Sequence, residues 1–441
     1  MANIKPFKGY RYNVEKVGSM SNVVCPSYYK LNDQKRAALY NVSEYNAVRI
    51  FSGEEKSTDN EINNKFTRAG DDLRRWIAEG VIKKEEKPAV YLYEQTVEVY
   101  GTTYTNTNLI TLAELEELNT GSIHPCEEMH ETSLRDYYEY ISHTKADTSM
   151  ISCLYVEKDK ELLNLMNEIR ETEPDFEFNT LEDDSVHEKV WIITYEPTIK
   201  FIAEQFKDIP LYITDGQTRY EACLRYRNYM KANNPAHTGE EPYNYTLVSL
   251  MNTDSDGLVI LPFHRQVKCP RGFKEDYFIA AVQDHFKIEK IIVDNDEEEI
   301  LDTIKKQIST TRKETKIGVY CGGDYFYRLM LTDKDYIKNN LLPQMSKAYC
   351  SVDTVVLNKL ILEDLLNVTD ETYSERVKEE RSRHQCFKHI EDGEFEVVFM
   401  LNAVKIDQIK AVTAVGERLP HMTISIFPKP SVGTIINVFE N

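Results

Sequence analysis

The chain has 441 residues, and its acidic side chains outnumber the basic ones by 73 to 53, which gives a formal net charge of −20. That charge repels a nucleic-acid backbone and an anionic membrane surface, so it argues against broad binding to either. It does not exclude a small anionic ligand, because a local pocket can be basic on an acidic protein. Hydrophobic residues make up 41% of the chain, which is enough for packed cores, and the length predicts two or three domains.

The eight cysteines are scattered along the chain, and none of them forms a Cys-x-x-Cys pair. Neither a zinc knuckle nor a dithiol redox motif is therefore visible. The first seven residues lack an apolar signal core, and no run of about 18 apolar residues occurs. We therefore expect a cytoplasmic protein with reduced thiols and no membrane span.

Up to about residue 265, the hydrophobic pattern predicts alternating helices and strands, which is typical of a mixed α/β or α+β fold. The segment 61–79, for example, repeats apolar residues at helical spacing and ends before Gly80. The predicted helices in this part are 33–42, 61–79, 111–118 and 132–144, and the predicted strands are 89–97, 151–156, 190–195, 210–214, 245–251 and 258–261.

The character of the chain changes near residue 270, where 271–315 is charged and reads as mostly helical. An acidic run at 294–299 suits a solvated helix start better than a cation or partner site, because acids favour helix N-termini. We therefore predict an α/β domain at 1–268 and an α+β C-terminal domain at 269–441. The later predicted elements are strands at 316–321, 325–331, 395–401, 422–427 and 433–439, and helices at 351–366, 370–388 and 405–415.

A strand-to-helix joint at Asp215 and Gly216 is the strongest candidate for a functional site. A short apolar strand, 210–214, precedes it, and an amphipathic helix, 217–231, follows. Asp-Gly is a strong turn signal, and the free N–H groups of a helix start carry partial positive charge. Arg219, one turn into the helix, can bind a phosphate or carboxylate through two hydrogen bonds. The joint is therefore suited to holding an anion such as phosphate.

A purely structural interpretation of the same joint is also open. Asp215 would cap the helix, and Arg219 would pair with Glu221 or another acid. Local sequence alone favours this interpretation, because capped joints are common and the turn is shorter than a P-loop.

Short motifs spread over almost the whole chain change that balance. Residues 213–222 read Ile-Thr-Asp-Gly-Gln-Thr-Arg-Tyr-Glu-Ala, which is similar to an Asp-Gly-His-His-Arg-Tyr-Glu element. The other matching segments are 5–12, 23–29, 45–49, 261–265, 416–420 and 427–429. Each is weak alone, but in this order and at this spacing they resemble the prokaryotic family called domain of unknown function 1015.

The Asp-Gly-His-His-Arg element itself resembles that of the wider ParB and sulfiredoxin-like group. In that group the equivalent turn binds nucleotide phosphates, and some members are kinases that phosphorylate free serine. The resemblance implies a mixed-sheet core of that type with an additional α+β C-terminal region. It also implies ATP or ADP with its phosphates on residues 216–219, and Mg²⁺ bridging them, with Asp215 and Glu221 as candidate ligands.

The resemblance also supplies the candidate site residues. Glu127 would take the proton from an acceptor hydroxyl such as that of serine, although it also suits the start of the helix 132–144. His264 also suits a purely structural role, and Arg265 also suits a buried ion pair. Lys429 also suits an ordinary surface position. The candidates are Glu127 and Asp215 for catalysis; Gly216, Gln217, Thr218, Arg219, His264, Arg265 and Lys429 for phosphate or nucleotide; and Arg49, Glu221 and Cys126 for substrate.

The chain departs from the family at polar positions. Gln217 and Thr218 replace two histidines, Cys126 replaces a third, and Met422 replaces a lysine; Tyr29 replaces an aspartate. Glutamine cannot relay a proton near neutral pH, and methionine cannot hold a phosphate charge. Losing such a group costs on the order of 10²–10⁴ in rate.

Two functions therefore remain open. The first is a small-molecule phosphotransferase that resembles the free-serine kinases. The second is a non-catalytic, nucleotide-binding regulatory or scaffold protein, which the substitutions favour. The expected partners are a nucleotide and a small-molecule substrate, without nucleic acid or membrane, and the expected assembly is a homodimer.

Overall fold

The computed structural model describes residues 2–27, 31–99, 101–118, 120–129, 131–181, 186–270, 272–293, 297–309 and 314–440. Tyr29 and residues 294–296 of the predicted acidic run lie outside these ranges. The chain forms two compact units. The first comprises Met1–Pro125, Met129–Val259 and Ile426–Asn441, and the second comprises Cys126–Glu128 and Ile260–Ser425. These units assign 260–268 to the second and 426–441 to the first, and the predicted domains 1–268 and 269–441 stay a prediction.

The described helices and strands are as follows in chain order. The helices are α1 (Val14–Val17), α2 (Asp33–Val42), α3 (Val48–Phe51), α4 (Lys65–Ala78), α5 (Glu131–Thr144), α6 (Glu161–Arg170), α7 (Glu196–Phe206), α8 (Gln217–Ala232), α9 (Glu275–Val282), α10 (Glu297–Ile308), α11 (Lys347–Cys350), α12 (Asp353–Val356), α13 (Asp370–Arg376), α14 (Arg383–Glu391) and α15 (Ile406–Thr413). The strands are β1 (Ile4–Lys5), β2 (Tyr10–Tyr12), β3 (Ile82–Lys84), β4 (Val90–Val99), β5 (Thr102–Glu114), β6 (Ile123–Pro125), β7 (Ala146–Asp147), β8 (Ile151–Tyr155), β9 (Phe176–Asn179), β10 (His187–Ile193), β11 (Leu211–Asp215), β12 (Tyr245–Asn252), β13 (Val259–Leu261), β14 (His264–Val267), β15 (Phe286–Ile292), β16 (Lys316–Tyr320), β17 (Tyr325–Leu331), β18 (Val377–Glu380), β19 (Val397–Met400), β20 (Ser425–Phe427) and β21 (Asn437–Val438).

The first unit is organised on a mixed sheet. Its strands run in the order β6–β11–β8–β12–β5–β4–β10–β9, and β1 also pairs with β5. The pairs β11–β6 and β12–β8 are parallel, whereas the others are antiparallel. The helices α5, α6, α7 and α8 contribute apolar faces to one large core against this sheet. Tyr220, Cys223 and Leu224 of α8 are buried in that core, which holds the start of α8 at the end of β11.

The second unit has an antiparallel sheet of its own, in the order β15–β17–β16–β19–β14–β18. The apolar stripe of α10 and residues of α14 pack with this sheet in a separate core. Each unit therefore buries its own hydrophobic cluster, and the predicted α+β class with a mixed sheet is confirmed. The ParB and sulfiredoxin-like form of the first unit stays a prediction.

Most predicted elements occur within a few residues of their predicted bounds. The helix at 111–118 is wrong, because residues 102–114 form β5, which pairs with β4, β12 and β1. Long-range pairing outweighs the helix-favouring residues of that segment. The segment 271–315 also contains the strand β15, and 370–388 is interrupted by β18. Residues 297–299 form the first turn of α10, as expected of an acidic helix start.

Candidate functional site

The joint between β11 and α8 places Gly216 at the N-cap of α8, with φ 90° and ψ 23°. This left-handed conformation favours glycine. A Cβ at this position would lie 2.7 Å from Nη2 of Arg219, so Arg219 folds back closely over the turn. The N-cap residue Gly216 has no side chain that could cap α8. The carboxylate of Asp215 binds Arg219 and Lys429, so its contacts are ion pairs rather than the helix cap of the structural interpretation.

Asp215 lies between two cations. Its Oδ2 is 2.7 Å from Nη2 of Arg219, and its Oδ1 accepts a hydrogen bond from Nζ of Lys429. The three side chains are largely enclosed, with 21% of Asp215 and 11% of Arg219 and of Lys429 exposed. Two cations and one carboxylate leave the cluster with a formal charge of about +1.

The charge states of this cluster follow from its geometry. Burial opposes ionisation of Asp215, but the charges of Lys429 and Arg219 outweigh it and hold the pKa of Asp215 well below its usual range. Burial likewise disfavours the charged guanidinium, yet Asp215 and Tyr137 raise the pKa of Arg219. Asp215 is therefore ionised at neutral pH, and its low basicity makes it a weak proton acceptor.

Arg219 has further contacts on the first unit. Its Nη2 also donates to the carbonyl oxygen of Met150 at 2.9 Å, and its guanidinium carbon lies 5.7 Å from the centre of the Tyr137 ring. Within the described part of the chain, the buried Nε of Arg219 has no hydrogen-bond partner. That N–H is enclosed without an acceptor among the described residues, and an unsatisfied buried donor is costly.

Lys429 is positioned through its main chain. Nε2 of Gln95 donates to the carbonyl oxygen of Lys429 at 3.1 Å and to Oε1 of Glu188 at 3.0 Å. Glu188 also accepts from the hydroxyl of Ser431 at 2.6 Å. Gln95 and Glu188 are opposite each other on β4 and β10, and both are fully buried. This cross-strand pair anchors the segment that carries Lys429.

The two residues that replace the family histidines behave differently. Gln217 is buried, and its Nε2 donates to the carbonyl oxygen of Ile213 at 3.0 Å. Thr218 is partly exposed at the helix start. Gln217 therefore stabilises the joint itself, whereas Thr218 stays partly accessible to solvent.

Glu221 and Arg49, which were predicted as substrate or metal residues of this unit, contact other groups of the protein. Glu221 pairs with Arg225 at 2.9 Å, and Nη2 of Arg49 donates to the carbonyl oxygen of Tyr40 at 3.0 Å. Among the described residues, no group of three or more His, Cys, Asp or Glu side chains is arranged to hold a metal ion. The geometry therefore gives no support to Asp215 and Glu221 as a pair of Mg²⁺ ligands.

Glu127 and Cys126 belong to the second unit. Glu127 is only 6% exposed, and its Oε1 accepts hydrogen bonds from the backbone N–H groups of Thr423, at 2.8 Å, and of Ile424. Cys126 is buried, and its carbonyl oxygen accepts from the N–H of Leu419 at 2.8 Å. These contacts are those of a carboxylate that orders a nearby backbone segment, and they favour a structural role.

His264 and Arg265 are also buried in the second unit. Nδ1 of His264 accepts from the N–H of Leu401 at 3.2 Å. Arg265 donates to the carbonyl oxygens of Phe263 and Met422, at 2.9 and 3.0 Å. Its Nε donates to the hydroxyl of Tyr373 at 3.0 Å. Both side chains are engaged in contacts within the protein. The geometry therefore favours a structural role for His264 and Arg265 over phosphate binding.

His264 leads to a testable pH dependence. Burial, with the charges of Arg383 and Arg265, lowers the pKa of His264 to about 3, whereas an unfolded histidine has a pKa of about 6.5. Between these values the unfolded chain binds more protons, so stability is lost as the pH falls below about 6.5. We expect His264→Asn, which keeps an acceptor for Leu401, to reduce this slope by up to about 1.4 kcal/mol per pH unit. Urea unfolding at pH 4 to 7 measures it, and an unchanged slope would contradict the assignment.

The structure thus brings together one group of predicted residues: Asp215, Gly216, Gln217, Thr218, Arg219 and Lys429. Glu221 lies on the same helix but faces Arg225. Glu127, Cys126, His264 and Arg265 belong to the other compact unit, and their predicted roles in the site stay predictions.

Several residues around Arg219 were not predicted as part of the site. Tyr137 lies against Arg219 and also lines a cavity of about 560 Å³ with Lys65, Asp136 and Tyr140. Asp147 lines a small cavity beside Arg219, and burial raises the pKa of Asp147 to about 6. No local pattern marks these positions, because they reach the turn through tertiary packing.

The fold and the turn together define an α+β protein with a cationic cluster at a strand-to-helix joint. The family described as "Protein of unknown function (DUF1015)" matches residues 4–356, and the chain belongs to that family. No curated protein is significantly similar to the chain in sequence. Within the described residues, no helix combines the length and apolar composition needed to cross a bilayer.

Several solved structures are similar to 75% of the chain. A free serine kinase in complex with AMP is 11% identical, with a TM-score of 0.34 and 91% of its own length covered. A conserved hypothetical protein from Pyrococcus furiosus is 13% identical, with a TM-score of 0.33 and 95% covered. SbnI from Staphylococcus aureus, with a C-terminal truncation, is 12% identical, with a TM-score of 0.35 and 87% covered. These scores are too low to carry an inference about this chain.

Proposed function

We propose that this protein binds the phosphate groups of a nucleotide at residues 216–219. The observation that supports the proposal is the cluster of Arg219, Asp215 and Lys429 beside the start of α8, whose N-cap residue is Gly216. A helix start offers N–H donors and a positive dipole, and the cluster adds a net charge of about +1. Low exposure reduces screening by solvent, which strengthens attraction for an anion.

The roles of the side chains follow from their contacts. The guanidinium of Arg219 supplies a positive charge beside the turn, and Thr218 supplies a hydroxyl at the helix start. Asp215 pairs with both cations and stabilises them in the enclosed cluster. Its lowered pKa makes it unsuitable as a general acid.

Of the two forms of this function, the non-catalytic nucleotide binder has the better support. Gln217 is committed to the carbonyl oxygen of Ile213, and Glu127 already accepts two backbone N–H groups. A specific observation keeps the small-molecule phosphotransferase as a second candidate. Tyr137, whose ring centre is 5.7 Å from the guanidinium carbon of Arg219, also lines the cavity of about 560 Å³. That cavity has room for an acceptor molecule.

The deciding experiment compares binding with turnover. Purified protein is heated with ATP, ADP or CTP, with and without Mg²⁺, and is assayed separately for phosphate transfer to hydroxy amino acids and polyols. The non-catalytic form predicts thermal stabilisation without product. Product formation would establish the phosphotransferase, and no stabilisation by any nucleotide would refute both forms.

Glu127→Gln tests whether the candidate base is catalytic. Glutamine keeps a side-chain oxygen for the N–H groups of Thr423 and Ile424, so we expect stability to change by about 1 kcal/mol or less. In the non-catalytic form, nucleotide stabilisation stays the same. If any phosphate transfer occurs in the wild type and falls by about 10²–10⁴ in this variant, Glu127 is a general base after all.

A further inference from the structure

The strand β15 (Phe286–Ile292) forms one edge of the antiparallel sheet in the unit that contains Ile260–Ser425. It stands first in the strand order of that sheet, and within the described ranges it pairs only with β17. Four of its seven residues are exposed, and 76% of Ile292 is accessible to solvent. An edge strand exposed to this extent offers its backbone to another strand.

The hydrogen-bonding groups of β15 alternate between its two sides. The N–H of Val293 donates to the carbonyl oxygen of Asp324 at 2.9 Å, and the carbonyl oxygen of His285 accepts from the N–H of Thr332 at 3.0 Å. Both contacts continue the register of β15 with β17. Since antiparallel hydrogen bonding alternates from residue to residue, the odd-numbered positions of β15 bond to β17. The N–H and C=O groups of its even-numbered positions therefore point away from the sheet.

The side chains of β15 suit antiparallel pairing with a second copy of the same strand. With a twofold axis at Ile288, Lys287 of one copy lies opposite Glu289 of the other, and the reverse pair forms on the other side of the axis. Ile288 then lies opposite its own copy. Residues that are opposite each other in an antiparallel pair project to the same face, so each lysine can reach its glutamate.

Charge also discriminates between the possible registers. Twofold registers centred on Lys287, Glu289 or Lys290 would place like charges opposite each other, which destabilises a strand pair. The carboxylate of Glu289 also accepts a hydrogen bond from Nη2 of Arg328 on β17, which orients it. Charged side chains on an edge usually discourage pairing. Here Lys287 and Glu289 have opposite signs, so the register centred on Ile288 is attractive.

We propose that two copies of this chain associate through β15, which would continue the antiparallel sheet across a twofold axis. About six backbone hydrogen bonds would form between even-numbered positions, flanked on each side of the axis by a Lys287–Glu289 ion pair. A homodimer is expected from the sequence, and the edge strand supplies a surface and a register for it. Because β15 and residues 216–219 belong to different compact units, the proposal is independent of nucleotide binding.

Sedimentation velocity of the full chain from about 1 to 100 µM tests the association, and we expect a reversible monomer–dimer equilibrium. Lys287→Glu and Glu289→Lys each place like charges opposite one another, and each should weaken the dimer at least about tenfold. Mixing the two variants restores both pairs of opposite charge, so the mixture should form a heterodimer with an affinity near that of the wild type. Lys306→Glu changes an exposed lysine of α10 in the same unit and should leave the association unchanged.

A backbone variant separates strand pairing from charge. Ile288→Pro removes an outward N–H without removing a hydrogen bond to β17, and it should abolish the dimer. Ile288→Val keeps that N–H and should dimerise like the wild type. A wild type that stays monomeric up to about 100 µM, or a dimer that persists in both Lys287→Glu and Ile288→Pro, would overturn the proposal. Failure of the two charge variants to associate when mixed would overturn the register on which it depends.

Discussion

Arg219→Ala is expected to abolish the stabilisation of this protein by nucleotides. The guanidinium is enclosed, carries a full charge and lies close to Gly216 in the turn before α8. A hydrogen bond to a charged group contributes about 1.5–3 kcal/mol, so the Kd for ADP should rise by roughly 10- to 100-fold. Calorimetric titration with ADP and with pyrophosphate measures this change. Similar losses for the two ligands would place the contact on the phosphates.

The variant also removes structural contacts, so its controls matter. Arg219 binds Asp215 and the carbonyl oxygen of Met150, and its loss should reduce stability by about 1–3 kcal/mol even without a ligand. Arg225→Ala removes another arginine of α8 that is more exposed and pairs with Glu221. It should leave nucleotide binding unchanged. Arg219→Lys keeps the charge but loses the planar fork, and should bind with intermediate affinity. Unchanged binding by Arg219→Ala would refute the site.

Much of the joint that carries Arg219 follows from local sequence. The apolar strand, the Asp-Gly pair and the amphipathic helix together predict β11, the turn and α8 close to their observed bounds. The structural interpretation left the partner of Arg219 open between Glu221 and another acid, and the observed partner is Asp215. Glu221 is two positions further along the helix, whereas Asp215 is four positions before Arg219 and shares its face. Helical geometry alone therefore favours Asp215 over Glu221.

Other parts of the site depend on contacts that no local pattern reveals. Lys429 meets Asp215 across 214 positions of sequence, and only the family resemblance indicated it. Gln95 and Glu188, which anchor the segment of Lys429, look like ordinary polar residues within strands. Part of the strand β5 was predicted as a helix, because local sequence does not reveal long-range strand pairing. Its pairing with β4, β12 and β1 is decided by tertiary structure rather than by the residues of 111–118.

Asp215→Asn should lower stability and raise phosphate affinity at the same time. Without the carboxylate, Arg219 and Lys429 become two enclosed cations without their shared counter-ion. Breaking such a buried pair costs about 3 kcal/mol. The cluster charge rises from about +1 to +2, and the donors that Asp215 occupied become available to phosphate. At an effective dielectric constant of about 20, the added positive charge strengthens the attraction for phosphate by more than the roughly 0.5–1.5 kcal/mol that is lost when a side chain becomes ordered.

The pH dependence gives this prediction an independent test. The folded pKa of Asp215 lies below its unfolded value of about 3.9. Its contribution to stability is therefore complete above about pH 4 and is lost as the pH falls through the folded pKa. The stability difference between wild type and Asp215→Asn should accordingly be constant from pH 5 to 8 and shrink in stronger acid.

Urea unfolding across that range and pyrophosphate titration at pH 7 measure the two effects of Asp215→Asn. Asp71→Asn removes an exposed carboxylate that is also 2.7 Å from an arginine, Arg74, and should change neither quantity measurably. A rise in pyrophosphate affinity of roughly tenfold would show that the carboxylate competes with the ligand for the two cations. A fall in affinity would show instead that Asp215 acts mainly by orienting them, because the added charge by itself can only strengthen the attraction for phosphate.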